Sequence, residues 1–150
     1  MPTLTFEQSF DVTAPVEAVR AFLADPHCFP KIHPLIARIT VTGERREAEV
    51  RVVEFEALEL VPMLGLQFRN RLRCETFDDP AHPNRVRSRA FSVPAVTVDS
   101  TYTLSSAPMG CRASQRLALT APWGLMSFVH RTAVAAHTRQ GAAIRAFFAQ

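Results

Sequence analysis

The sequence predicts an α+β protein in which a curved antiparallel sheet of seven strands wraps around one long C-terminal helix, with two short helices after the first strand. Three observations support this class. An N-terminal stretch with strand-like alternation changes abruptly to helical spacing, a long middle region has strand composition and hairpin connections, and a final segment rich in Ala, Leu and Phe can run as one helix. A sheet of successive hairpins must cover its apolar face, and only the last helix is long enough to do so.

The N-terminal elements follow from two different periodicities. Between Leu4 and Val12 the even positions are mostly apolar and the odd ones polar, which is typical of a half-buried strand. Pro15 then suits the first turn of a helix, and four apolar residues share its face: Val16, Val19, Phe22 and Leu23. Asp25 and Pro26 end this helix and begin a second short one, which runs through Phe29 and must end at Pro34.

Six further strands are predicted, followed by the long helix. The connections between them contain the segments GERRE, LVPMLG, DDPAHPN, SVPAV and SAPMGC, and the terminal helix is expected over Pro122–Phe148. The strands are Ile36–Thr42, Ala48–Leu58, Leu66–Phe77, Arg85–Ser92, Thr97–Ser105 and Arg112–Thr120.

Length, composition and charge limit the function classes. The 150 residues, 47% of them hydrophobic, are expected to form one domain over 1–150 with one core. Seventeen basic and fourteen acidic residues give a net charge of +3, too mild for a dedicated nucleic-acid binder. Three scattered cysteines suggest neither a disulfide framework nor a zinc site, and no signal peptide or membrane span is recognisable, so we expect a cytoplasmic protein.

The inward positions of the middle strands are small or polar enough to leave a cavity between sheet and helix. Ser88 and Ala90 on the fifth strand cannot fill such a gap by themselves, although neighbouring Phe side chains offer an alternative filling. The residues predicted to contact a ligand are Phe68, Asn70, Ser88, Ala90 and Tyr102 on the strands, and Met126, His130, Ala133 and His137 on one stripe of the helix.

The stretch "DVTAPVEAVRAFLADPHCFPKIHP" resembles the opening of START-like proteins, the SRPBCC or helix-grip superfamily. The pattern V-x-A-P-x-E, then D-P, then F-P-x-I-x-P is similar to that of polyketide-cyclase-like and coenzyme-Q-binding members. The resemblance implies a seven-stranded sheet gripping a C-terminal helix, lid helices beside a ligand pocket, and binding of apolar small molecules or lipids, with enzymes a minority. It transfers no catalytic signature to this chain.

Besides Ser88, four of the candidate residues carry polar groups. His130 and His137 could hydrogen-bond a ligand or act as acid and base, or they could be satisfied core residues. Tyr102 and Asn70 could anchor a ligand oxygen or bond within the protein. Two histidines seven residues apart are too distant to share a metal ion without further ligands, and no metal site or cofactor is predicted.

Alternate hairpin turns share one pole of the predicted sheet, and that pole is apolar. Leu60, Met63, Leu64, Val93 and Trp123 gather there. Turns that face water are usually polar, so this pole requires an explanation. Three explanations remain open. The apolar pole could be the lip of a hydrophobic portal, it could be the contact surface of a homodimer, or it could pack against the start of the helix within a monomer.

A row of arginines is predicted on the outer face of the fourth and fifth strands. Such a row could attract an anionic membrane or another anionic partner, but glutamates of the third strand could neutralise part of it. Specific nucleic-acid binding is not expected, because the pattern places no stacking aromatic residues on this face. The row consists of Arg69, Arg71, Arg73, Arg85, Arg87 and Arg89.

The leading functional hypothesis is binding or carriage of a hydrophobic small molecule, lipid-like, quinone-like or polyketide-like, without catalysis. The alternatives are an enzyme of cyclase, dehydratase or isomerase type that uses a cavity histidine as general base, and a protein-interaction module that uses the apolar turns.

Overall fold

A computed structural model describes residues 2–150 and contains seven strands and three α-helices. The strands are β1 (Thr3–Val12), β2 (Ile36–Glu47), β3 (Val50–Met63), β4 (Leu66–Asp78), β5 (Arg85–Ser92), β6 (Val96–Ala107) and β7 (Gly110–Thr120). The helices are α1 (Val16–Ala24), α2 (Phe29–Ile32) and α3 (Met126–Phe148), with a 3₁₀ turn over Pro26–Cys28.

The strands form one antiparallel sheet in the order β1-β7-β6-β5-β4-β3-β2. Consecutive strands pair as hairpins from β2 to β7, and β1 completes the sheet by pairing with β7. The curved sheet lies against the long helix α3, and α1 and α2 occupy the segment between β1 and β2. The predicted fold class is confirmed.

Apolar packing is solid at one end of the molecule. Val12, Val19, Leu104 and Ile144 belong to one buried cluster that joins β1, α1, β6 and the last turns of α3. Gly141 lets α3 approach β1 closely, because a Cβ atom at this position would lie 3.0 Å from the Phe10 ring. The opposite end, where α3 begins, is not filled in this way and contains the cavity described below.

Several strands are longer than the sequence predicts. The segments GERRE and LVPMLG, predicted as connections, lie mostly within β2 and β3, so the two-residue turns are Ala48–Glu49 and Leu64–Gly65. Leu64 and Gly65 both have positive φ angles, of 54° and 75°, as a tight hairpin turn requires. The long helix begins at Met126 instead of Pro122, which leaves residues 121–125 as a loop whose last three residues are exposed.

None of the helices within residues 2–150 has the length and hydropathy needed to cross a bilayer.

Candidate functional site

A cavity of about 480 Å³ lies between the sheet and the first half of α3. Its volume is within the usual range for small-molecule sites. Apolar side chains of β3, β6 and α3 form most of its wall, among them Val61, Met63, Val98, Phe128, Val129 and Ala133. Because side chains alternate along a strand and recur every three to four residues along a helix, each of these elements presents one apolar row to the cavity.

The inner end of the cavity carries several polar groups. A smaller chamber of about 80 Å³ shares His33, Glu59 and His137 with the main cavity. Its wall contains apolar side chains such as Phe29 and Phe55, and four hydroxyl and amide groups from the sheet and α3 lie among them: Ser88, Ser100, Tyr102 and Gln140. The site therefore has an apolar body and a hydrogen-bonding end, the arrangement expected for orienting a ligand that is mostly hydrocarbon.

His33 and His137 meet at this polar end. Their ring centroids are 5.1 Å apart and the rings are nearly perpendicular. His33 follows α2, and its Nδ1 accepts a hydrogen bond from the Leu35 amide at 3.2 Å, so a neutral His33 carries its proton on Nε2. Within the described chain this Nε2 has no protein partner, which makes it a donor available to a ligand.

A buried glutamine network holds His137 in place. Gln8 donates to Gln115 Oε1 at 2.7 Å and to the His137 carbonyl at 2.8 Å. The Gln115 amide donates to Ser100 Oγ at 3.0 Å, and the Tyr102 hydroxyl donates to Gln140 Oε1 at 2.8 Å. His137 Nδ1 lies 3.1 Å from Gln115 Nε2 and 3.1 Å from Gln140 Oε1. The network links β1, β6, β7 and α3, and it leaves Nε2 as the ring nitrogen of His137 that is not engaged.

Glu59 forms a second polar group on the cavity wall. Asn70 Nδ2 donates to Glu59 Oε1 at 3.2 Å and to Ser92 Oγ at 2.9 Å. Burial raises the pKa of the Glu59 carboxyl, and the hydrogen bond from Asn70 opposes this only partly. The amide group of Asn70 therefore donates to protein partners. This is the second of the two roles predicted for it from the sequence, hydrogen bonding within the protein.

The structure distributes the predicted ligand-binding residues over three locations. Asn70, Ala90, Ala133 and His137 line the main cavity, while Ser88 and Tyr102 line the inner chamber together with Ala90 and His137. Phe68, Met126 and His130 line neither. Phe68 lies on the correct face of β4 but beyond the cavity wall, Met126 is buried at the start of α3, and His130 is half-buried.

The predicted portal residues also separate. Met63 and Val93 line the cavity mouth, with Pro94 of the cis Val93–Pro94 peptide beside them. Leu64 and Trp123 are exposed at the tips of the surrounding turns. Leu60 pairs with Arg69, next to the inward residue Glu59, and so faces the outer side of β3.

Four residues of the polar end were not predicted: His33, Glu59, Gln115 and Gln140. Glu59 had a detectable signal, because it continues the inward row Phe55, Ala57 and precedes Val61, but the predicted strand stopped at Leu58. His33 was seen only as part of the lid segment. Among residues 2–150, no three His, Cys, Asp or Glu side chains are grouped closely enough to hold a metal ion.

The outer arginine row is partly neutralised, but not by the predicted glutamates. Arg87 and Arg89 both donate to Asp99 of β6, at 2.9 and 3.1 Å. The guanidinium groups of Arg73 and Arg87 lie over the rings of Phe91 and Phe77, at 5.1 and 4.9 Å from the ring centroids. The expectation that this face lacks aromatic residues was therefore wrong, because these two phenylalanines lie on the same outward face as the arginines and pair with Arg73 and Arg87 across the strands.

Burial keeps both cavity histidines neutral at ordinary pH, and this predicts a pH-dependent stability. Desolvation lowers the pKa of His33 to about 3, with His137 adding to the effect, and lowers the pKa of His137 to about 4. Unfolded imidazoles titrate near 6.5, so the unfolded chain binds more protons at acid pH. Above about pH 6.5 both histidines are neutral in the folded and the unfolded chain, and they do not change the free energy of unfolding with pH. Below about pH 6.5 the free energy of unfolding falls by up to about 1.4 kcal/mol per pH unit for each histidine as the pH decreases towards 4.

Urea denaturation at pH 7, 5.5 and 4.5 measures this effect. We expect the His137→Gln variant to lose less stability over this range than the unmodified protein, whereas the same change at exposed His82 should leave the slope as it is. Equal slopes for all three proteins would contradict a buried, neutral His137.

The sheet, the gripped helix and the hollow between them define a START-like helix-grip protein, as the N-terminal motif implied. The chain belongs to the family described as "polyketide cyclase / dehydrase and lipid transport", whose model matches residues 3–148. No curated protein has a significant sequence match to it.

Solved structures share the fold at low sequence identity. The di-domain ARO/CYC StfQ from the steffimycin biosynthetic pathway is 14% identical with a TM-score of 0.71 over 97% of this chain, which spans only 51% of StfQ. The Zhui aromatase/cyclase from Streptomyces sp. R1128 is 17% identical with a TM-score of 0.60, covering 95% of this chain and 88% of its own. A START superfamily protein from Mycobacterium smegmatis is 12% identical with a TM-score of 0.66, covering 99% and 97%.

Proposed function

We propose that this protein binds a hydrophobic small molecule in the cavity between the sheet and α3, with the apolar part of the ligand towards the mouth and a polar end against His33 and His137. The observation that carries this proposal is a cavity of about 480 Å³ with an apolar wall and one polar end. A lipid-like, quinone-like or polyketide-like compound has this distribution of polarity.

The apolar wall supplies most of the free energy available for binding. Covering about 300 Å² of apolar ligand surface is worth roughly 7.5 kcal/mol before the cost of association, at about 25 cal/mol per Å². This gain alone corresponds to a dissociation constant of about 3 μM, and the cost of association raises the constant above that value. The polar end then selects orientation, because a ligand oxygen that fails to pair with the His33 Nε2–H leaves a buried donor unsatisfied.

Native mass spectrometry of freshly purified protein tests the proposal. We expect a small molecule to copurify, or the emptied protein to bind the neutral apolar dye N-phenyl-1-naphthylamine with a rise in dye fluorescence. Protein that carries no adduct and gives no fluorescence change with the dye would contradict a ligand-binding cavity.

Acid–base catalysis is a second candidate, and one observation favours it. His33, His137 and Glu59 share one cavity wall, where burial lowers the pKa of the two imidazoles and raises the pKa of the carboxyl. Groups whose pKa values are displaced in opposite directions are typical of acid–base pairs. The likeness to StfQ and Zhui suggests cyclisation or dehydration of a polyketide-like substrate. A histidine pKa, followed by NMR, that changes again when the copurified compound is added back would favour this function over carriage.

A further inference from the structure

The cavity mouth is surrounded by exposed apolar side chains. Three turns meet at this end of the molecule: Leu64–Gly65, residues 93–95 and the loop of residues 121–125. Leu64 is 94% exposed, Val93 79% and Trp123 81%. We call these three residues, with Leu66, the apolar rim. Large apolar side chains grouped in this way on a protein surface mark an interaction site.

The turn that carries Leu64 projects beyond the sheet. β2 begins opposite Glu59, and β5 pairs with β4 only from Arg73 onwards, so residues 60–69 have no third strand beside them among the described residues. Isolated two-stranded hairpins are marginally stable in water. This one nevertheless directs Met63, Leu66 and Phe68 to a single face, and all three are exposed there.

The charges around the rim have one sign. Residues 60–74, 90–98 and 100–150 contain no aspartate or glutamate. Arg69, Arg71 and Arg131 are exposed near the mouth, and none has an ion-pair partner in the part of the chain that the structure describes. The turns at the opposite end carry the acidic groups instead, among them Glu47, Glu49, Asp78 and Asp79.

We propose that this end of the protein docks on an anionic lipid bilayer, with the apolar rim at the acyl boundary and Arg69, Arg71 and Arg131 against lipid phosphates. A bilayer offers both an apolar phase and negative charge in one plane, and indole side chains favour that interface. A second copy of the chain fits less well, because a twofold contact through this end would bring the unpaired arginines of two copies together. Docking would point the cavity mouth at the lipid, whatever the cavity holds.

Trp123 is the only tryptophan of the chain and reports docking directly. Vesicles of phosphatidylcholine alone are compared with vesicles that contain 30% phosphatidylglycerol. With the anionic vesicles at low salt we expect cosedimentation, a blue shift of Trp123 emission and quenching by brominated acyl chains. Affinity should be at least 10-fold higher than for phosphatidylcholine alone and should fall as salt is added.

Two sets of variants separate the apolar and charged contributions. Leu64→Glu and Val93→Glu place charge in the rim at exposed positions, so they should weaken vesicle binding at least 10-fold without unfolding the protein. The double variant Arg69→Gln, Arg71→Gln should lose most of the preference for anionic vesicles. Met109→Glu is the matched control, because Met109 is 78% exposed in the β6–β7 turn at the opposite end and should leave binding unchanged.

Three results would overturn the proposal. The first is no binding to either vesicle at low salt, and the second is an equal loss of binding in Met109→Glu and Leu64→Glu. The third is a dimer, by light scattering, that the rim variants convert to a monomer while vesicle binding is absent, which would assign the rim to contact between copies. None of these outcomes depends on ligand binding in the cavity, so docking and the proposed function fail separately.

Discussion

Replacing Ala133 with tryptophan is expected to weaken binding of apolar molecules in the cavity roughly 100-fold and to leave the fold intact. Ala133 lies on α3 and its side chain forms part of the cavity wall. An indole at this position occupies much of the space that a ligand would fill. Loss of about 3 kcal/mol of apolar contact corresponds to roughly 100-fold weaker binding of N-phenyl-1-naphthylamine, measured by fluorescence titration. The melting temperature should stay the same or rise, since filling a cavity is stabilising.

The matched control is Ala135→Trp on the exposed side of the same helix. It introduces the same side chain outside the cavity and should bind the dye as the unmodified protein does. Unchanged dye affinity in Ala133→Trp, or an equal decrease in both variants, would show that the dye binds somewhere else.

The second large effect is expected at Gly110, where β7 begins. Its φ angle is +146°, and a Cβ atom there would lie 2.3 Å from the Val12 carbonyl oxygen and 2.6 Å from the Ala14 nitrogen. Both atoms belong to the backbone at the end of β1 and in the segment directly after it, so relief of the clash requires this part of the chain to separate from β7. Gly110→Ala should therefore reduce the free energy of unfolding by about 3 kcal/mol or more, measured by urea denaturation.

Gly124 provides the comparison, because nothing lies within 4 Å of a Cβ atom placed there. Gly124→Ala should change stability by less than about 0.5 kcal/mol. Similar denaturation midpoints for the two variants would mean that the close approach at Gly110 is not maintained in solution.

The order of the elements, the antiparallel meander and the inward faces of the strands were all predictable, because alternation and helical spacing are local properties of the chain. The N-terminal motif placed the protein in its superfamily, and the small side chains of β5 suggested a hollow. Strand ends were less predictable. The segment from Leu60 to Arg69 contains Pro62 and Gly65, which favour a loop, yet cross-strand pairing extends through it.

The polar end of the cavity was decided only by the tertiary structure. His33 and His137 are 104 residues apart along the chain, and their rings meet because α2 packs against α3. Gln8, Gln115 and Gln140 belong to three different elements. No local sequence pattern predicts that a glutamine in a strand or helix will be buried in a hydrogen-bond network. The sequence by itself determined a sheet around a helix with room inside, since periodicity determines which face of each element is apolar. Which polar groups meet in that room depends on register and on the crossing of distant elements, and only the folded structure sets these.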